Sequence, residues 1–175
     1  KNRKSADVIR QIENGELDVG VLSRANCEGK KVEIYSLKTI GYSLFVPVRY
    51  ADKVPVRAPF KGLSEIPFAM LEGTGELNSL IEQIADRNKM ILKPVFQGTS
   101  LLQVSQVVQA EECCAILPDF FEPNFQKDSV KQFSLSGLKG LRREYVVAWK
   151  KDTENFKPRI KMDMVESIRK IFREF

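Results

Sequence analysis

Phe68-Ala69-Met70-Leu71, Pro94-Val95-Phe96 and Cys114-Ala115-Ile116-Leu117 are three short apolar runs, and the two segments between them repeat with helical spacing. After the first run, Glu72-Gly73-Thr74-Gly75 reads as a turn. Residues 76–88 then place Leu77, Leu80, Ile81 and Ile84 at i, i+3, i+4 and i+7, which predicts a helix with one buried face. After the second run, Ser100 is positioned to cap a helix that carries Leu101, Val104, Val107 and Val108 inward. Pro118 stops the third run. Strand, helix, strand, helix, strand at this spacing is a βαβαβ unit, which implies a parallel sheet with right-handed crossovers.

Upstream of this unit the chain opens in a helix. Val8, Ile9 and Ile12 share a face, Ser5 is a candidate N-cap, and Gly15 stands where a left-handed C-terminal cap belongs. Leu17–Leu22 reads as a strand, and residues 32–38 and 41–48 as two more extended segments rich in Val, Ile, Tyr and Phe. A stretch punctuated by Pro47, Pro55 and Pro59 follows, with a brief helical turn predicted from Leu63 to Ile66. Downstream, Val130–Leu135 and Glu144–Trp149 read as extended stretches around a loop containing Gly137 and Gly140. A last helix is predicted from Asp163 to Glu174, with Asp163 and Glu166 as its N-terminal cap pair and Met164, Ile168, Ile171 and Phe175 as its buried stripe.

The chain has 175 residues, 43% hydrophobic and 29% charged, the composition of an ordinary globular protein. No apolar stretch approaches the roughly 20 residues that span a bilayer, and no secretory signal precedes the first helix. The chain begins Lys1-Asn2-Arg3-Lys4 without an initiator Met, which reads as the interior of a longer protein. The net charge of +5 comes from 28 Lys and Arg scattered against 23 Asp and Glu, too diffuse to form a nucleic-acid-binding face by itself. The three cysteines, Cys27, Cys113 and Cys114, do not suit a disulfide scaffold and favour a reduced, cytoplasmic chain. Cys113 and Cys114 enter an apolar strand, so packing is the better reading than redox sensing.

In open parallel α/β sheets, ligands bind beyond the carboxyl ends of the strands, where helix N-termini present free N–H groups. That rule selects Ser23 and Arg24 after the first strand, Leu71, Glu72, Thr74 and Gly75 after the second, and Gln97, Thr99 and Ser100 after the third. The same residues also have structural readings, Ser100 as a cap and the glycines as turn formers. Glu72 and Glu76 put negative charge at one helix N-terminus and weaken it as an anion site, and Arg24 is the only cation close to these segments. A neutral or mixed-charge ligand is as compatible as a simple carboxylate.

The chemistry of an enzyme is largely missing. There is no histidine, which removes the commonest general base and metal ligand together. No Cys-x-x-Cys pair suggests zinc, and neither phosphate-binding glycine motifs nor Gly-x-Ser-x-Gly occur. The expectation is therefore a non-enzymatic protein with no cofactor and no metal.

Ile12-Glu13-Asn14-Gly15-Glu16-Leu17-Asp18-Val19-Gly20-Val21 resembles the L-x-x-G-x-L-D-hydrophobic segment of LysR-type transcription regulators. The strand-turn-helix at 66–84 resembles that family's passage into its second lobe. The run from Val95 to Pro118 resembles the strand, valine-striped helix and strand ending in Leu-Pro that follow, and the final strand and helix fall in the same order. The likeness covers nearly the whole chain. It implies an effector-binding domain with a two-lobed, type II periplasmic-binding-protein-like α/β fold, built of mostly parallel mixed sheets with flanking helices and two crossover hinge strands. The first lobe would comprise 1–65 plus 136–175 and the second 67–135. Family members usually begin the region with a further strand and helix, so the first lobe would be incomplete at its N-terminus.

The resemblance further implies that a small-molecule effector lies in an interlobe cleft, with contacts at Leu71, Glu72, Thr74, Thr99 and Ser100. The regulator would work as a homodimer or homotetramer and touch DNA only through a separate winged helix-turn-helix domain. A solute-binding protein of a transport system shares the fold and is the alternative, against which stand the free cysteines and the missing signal segment.

Overall fold

A computed structural model describes residues 5–126, 128–135, 142–151 and 158–173. The chain divides into two compact units, Lys1–Ile40 with Arg143–Phe175, and Gly41–Arg142.

In the first unit, helix α1 (Ser5–Glu13) buries Ile9 and Ile12, as its apolar spacing requires. It closes in a Schellman arrangement: Glu16 N–H donates to Gln11 O at 2.8 Å, Gly15 N–H donates to Ile12 O at 3.0 Å, and Gly15 takes φ +77°. Ile9 and Ile12 pack with Leu22, Cys27, Val146 and Ala148. Gly20 lets the helix come this close, since a Cβ there would stand 2.7 Å from Val8 Cγ1. Strand β1 (Val19–Ser23) pairs antiparallel with β7 (Arg142–Lys150), Val19 opposite Trp149 and Ser23 opposite Tyr145.

Strand β2 runs unbroken from Val32 to Pro47, where two separate segments were expected, and its residues from Gly41 onward belong to the second unit. Residues 39–41 stay extended, Gly41 among them, so the strand continues through the gap between the two expected segments.

The second unit is built on β3 (Phe68–Leu71), which pairs in parallel with β4 (Pro94–Gly98) on one side and β5 (Cys114–Pro118) on the other. Beyond β5 come β2, antiparallel from Tyr42 opposite Pro118 to Phe45 opposite Ala115, and then β6 (Val130–Ser134). Helices α2 (Glu76–Arg87) and α3 (Leu101–Gln109) make the crossovers. Side chains alternate between two cores. Tyr42, Leu44, Phe68, Met70, Cys114 and Ile116 pack with α2, whereas Phe45, Ala69, Ala115 and Leu117 pack with α3. Both sheet faces are covered, which is why these strands read as continuous apolar runs without polar alternation.

Three expectations are corrected. Residues 41–65, read with the first lobe, lie in the second unit, because Val54, Phe60, Leu63 and Ile66 join the core around α2. Leu80 is only half-buried, with Leu77, Ile81 and Ile84 carrying the buried face of α2. The last helix, α4, spans Pro158–Arg173, so Asp163 lies inside it and is no cap. Among its described side chains Val165 is buried, Met164 and Ile168 are half-buried and Ile171 is 55% exposed, while Phe175 falls outside the described residues. The loop with Gly137 and Gly140 is likewise outside them.

Candidate functional site

Parallel pairing of β3 with β4 sets Leu71 opposite Gly98, so the turns leaving both strands stand side by side. Glu72 N–H donates to Gly98 O at 2.9 Å and ties them together. Gly73 takes φ +78°, a conformation that penalises any side chain. Gly75 is the N-cap of α2 and offers no side-chain cap. Support comes from Asn78, a residue the sequence reading passed over: its Nδ2 donates to Leu71 O at 2.6 Å and to Gly73 O at 2.7 Å, holding the turn from beneath. A polar residue next to Leu77 on the buried stripe was the available signal. Glu72, Thr74 and Gly75 are exposed and Leu71 is half-buried.

The start of α3 is arranged differently. Ser100 Oγ accepts from Gln103 N–H at 3.3 Å, so the capping role read from the sequence is present. Gln103 Oε1 in turn accepts from both the amide and the hydroxyl of Thr99, each at 2.8 Å. Thr99 and Gln97 are exposed, and Ser100 is half-buried. The residues of 71–75 and 97–100 therefore do come together on one edge of the second unit.

The end of β5 adds a group that the strand-end rule, applied to the other strands, had not reached. Ser43 Oγ donates to Asp119 Oδ1 at 2.7 Å and accepts from Gln132 Nε2 at 3.1 Å. The Asp119 carboxylate lies against Gly41, where a Cβ would overlap it. The signals were a serine inside the apolar run 42–47 and an aspartate immediately after Pro118.

Ser23 and Arg24 belong to the first unit. Ser23 is buried, and Arg24 Nε pairs with Glu144 Oε2 at 2.6 Å. The Ser36 hydroxyl also donates to Glu144, and together with the Arg24 charge it holds that carboxyl below the ordinary glutamate range. Arg24, the cation singled out by the strand-end rule, thus already has a carboxylate partner.

Cys27, Cys113 and Cys114 are free thiols and all are buried. Burial pushes each thiol above its usual value, with Glu112 adding to the effect at Cys113, so the reactive thiolate is suppressed. Among the described residues, no group of three His, Cys, Asp or Glu could hold a metal ion, and no helix is long and apolar enough to cross a membrane.

The family model described as the LysR substrate binding domain matches residues 2–160. No curated protein sequence matches the chain. Among solved structures, the reduced regulatory domain of OxyR2 from Vibrio vulnificus aligns at a TM-score of 0.75 and 15% identity, over 97% of this chain and 78% of that one. An OxyR mutant from Corynebacterium glutamicum, bound to H2O2, aligns at 0.73 and 13% identity, over 98% of this chain and 54% of that one. Full-length CbnR in complex with its target DNA aligns at 0.71 and 12% identity, over 97% of this chain and 58% of that one. This chain therefore spans little more than half of the longer structures, and identities this low speak for the fold alone. The family match covers most of the sequence, and the chain belongs to the LysR substrate-binding-domain family: it is the effector-binding domain of a LysR-type transcription regulator, with the family's type II periplasmic-binding-protein-like α/β fold.

Proposed function

We propose that the domain binds its small-molecule effector at the strand-end edge of the second unit, through Leu71, Glu72, Thr74, Gly75, Gln97, Thr99 and Ser100. Ser23 and Arg24 hold the equivalent position, the end of β1, in the first unit. Occupancy is relayed to a winged helix-turn-helix domain of the same regulator, which binds DNA as a homodimer or homotetramer in the cytoplasm. The domain carries out no reaction; the absence of histidine from the whole sequence supports that reading. The observation that carries the proposal is the joining of the two turns by the Glu72–Gly98 bond, which sets exposed Thr74 and Thr99 beside two helix N-termini.

The test is a thermal-shift screen of the chain against small metabolites, followed by calorimetry on the best stabiliser. Thr74→Ala and Thr99→Ala each remove one hydroxyl contact worth about 1 kcal/mol, or about fivefold in Kd. Thr99 also bonds Gln103, so its variant reports on both partners. Unchanged affinity in both variants would place the effector elsewhere.

A further inference from the structure

From Pro94 to Ala110 the chain carries no charged residue, the longest such run in a sequence that is 29% charged. The run comprises β4, the turn after it and α3. A stretch this neutral would ordinarily be core, yet much of it faces solvent. Val95 is 67% exposed and Leu102 61%, and Gln103, Gln106 and Gln109 are exposed on the same helix as Leu102. The outer surfaces of β4 and α3 adjoin: a Cβ on Gly98 would meet Gln103 Cβ at 3.2 Å, and Phe96 and Val107 are both half-buried against one core cluster. Elsewhere exposed apolar residues have cations close by in the chain, with Val48, Val56, Ile91 and Ile171 each within two residues of a lysine or arginine.

Strand β4 is the outermost strand of its sheet among the described residues, so this face lies at an edge. The edge is poorly suited to a further strand. Pro94 has no N–H to offer, and the register shift that sets Phe68 opposite Pro94 and Ala69 opposite Phe96 leaves Val95 without a partner residue. What remains is packing through side chains. Charge narrows the choice of partner, because a surface of neither sign has nothing to draw a charged protein and nothing to repel its own copy. The exposed amides complete the match: each glutamine side chain both donates and accepts, so the same residue in a second copy satisfies it. Charge depletion of this kind marks the core of a protein interface.

We propose that the outer face of β4 and α3 is a self-contact, in which two copies of the chain meet about a two-fold axis with α3 against α3. Leu102 and Val95 are its apolar anchors, and Gln106 and Gln109 pair across the axis. The inference rests on reading the regulator as a homo-oligomer and assigns that assembly a surface. In a two-fold contact every side chain acts twice, so a single substitution alters both halves.

Sedimentation equilibrium of the chain from about 10 μM to about 1 mM measures the self-association. The chain is expected to dimerise. Leu102→Glu and Gln106→Glu should each weaken the dimer at least about tenfold, because each sets two like charges against one another. Val56→Glu, at a valine 82% exposed outside the run, should leave it unchanged. Leu102→Lys should weaken the dimer as Leu102→Glu does, and an equimolar mixture of the two should associate more tightly than either alone. Leu102 and Gln106 are exposed, so these variants keep the fold, which equal melting temperatures verify. Association undiminished in Leu102→Glu and Gln106→Glu overturns the face and leaves the homo-oligomer reading standing. A mixture no tighter than its parts overturns the meeting of α3 with α3. Equal weakening by Val56→Glu reduces the effect to added charge and overturns the face as well. A chain monomeric throughout the range overturns the self-contact, and with it the homo-oligomer reading as far as this domain carries it.

Discussion

Helices α2 and α3 begin at the same edge of one sheet, one strand apart, yet their N-termini are in opposite states. At α3 the first turn is satisfied from within: Ser100 takes the Gln103 amide, and the Gln103 side chain takes the Thr99 amide and hydroxyl. At α2 the cap is Gly75, which offers no side-chain acceptor, and Asn78 spends its donor on the carbonyls of the preceding turn. A strand-end helix N-terminus is therefore a place where a ligand can bind, and the side chains beside it decide whether its donors are still available. If this edge is the effector site as proposed, α2 is the side whose free donors a ligand would complete, and α3 is the flank already satisfied from within.

The largest test of the contrast removes the anchoring of both helices. Ile81 and Val104 are each 1% exposed and pack on opposite faces of the sheet. Ile81→Ala should cost about 3 kcal/mol and Val104→Ala about 2 kcal/mol, because each leaves a cavity that its neighbours fill only in part. Denaturant midpoints no lower than that of the surface variant Gln83→Ala would mean that these helices do not dock as described.

A smaller effect separates the two turns. Asn78→Ala strips the Leu71 and Gly73 carbonyls of their shared donor at a cost of about 2 kcal/mol. Hydrogen exchange should quicken across 72–76 and stay unchanged across 99–103. Equal acceleration in both segments would show that the turns move as one and would dissolve the contrast.

The smallest effects exchange the caps. Ser100→Ala should cost about 1 kcal/mol. Gly75→Ser should gain a few tenths of a kcal/mol, since Gly75 has φ −70° and open space where a Cβ would stand. If α2 is the ligand side, Gly75→Ser weakens effector binding more than Ser100→Ala does, and calorimetry giving the reverse order would transfer the role to α3.

Much of this architecture is legible in the sequence. Phe68–Leu71 and Cys114–Pro118 were readable because apolar runs bounded by Gly and Pro signal buried strands, and Ser100 because capping is a local bond spanning three residues. Residues 32–38 and 41–48 read as two separate extended segments, whereas a single strand runs through both. The cap placed at Asp163 failed because an acidic residue inside an amphipathic helix looks like its beginning, while the first turn, from Pro158, carries no acidic signal. Arg24 looked available, and its engagement by Glu144 could not be read locally.

The sequence by itself determined the order of elements, the parallel βαβαβ unit, the capped start of α3 and the family, all of which follow from periodicity, capping and motifs within short stretches of chain. Tertiary structure alone decided which polar groups meet. Ser43 finds Asp119 across 76 residues and Gln132 across 89, and Trp149 finds Glu33 across 116. The physical reason is one of range. Burial and capping are imposed by neighbours a few residues away, whereas a hydrogen-bond partner is chosen by strand register and sheet order, which bring distant residues within hydrogen-bonding distance and leave no periodic trace in the chain.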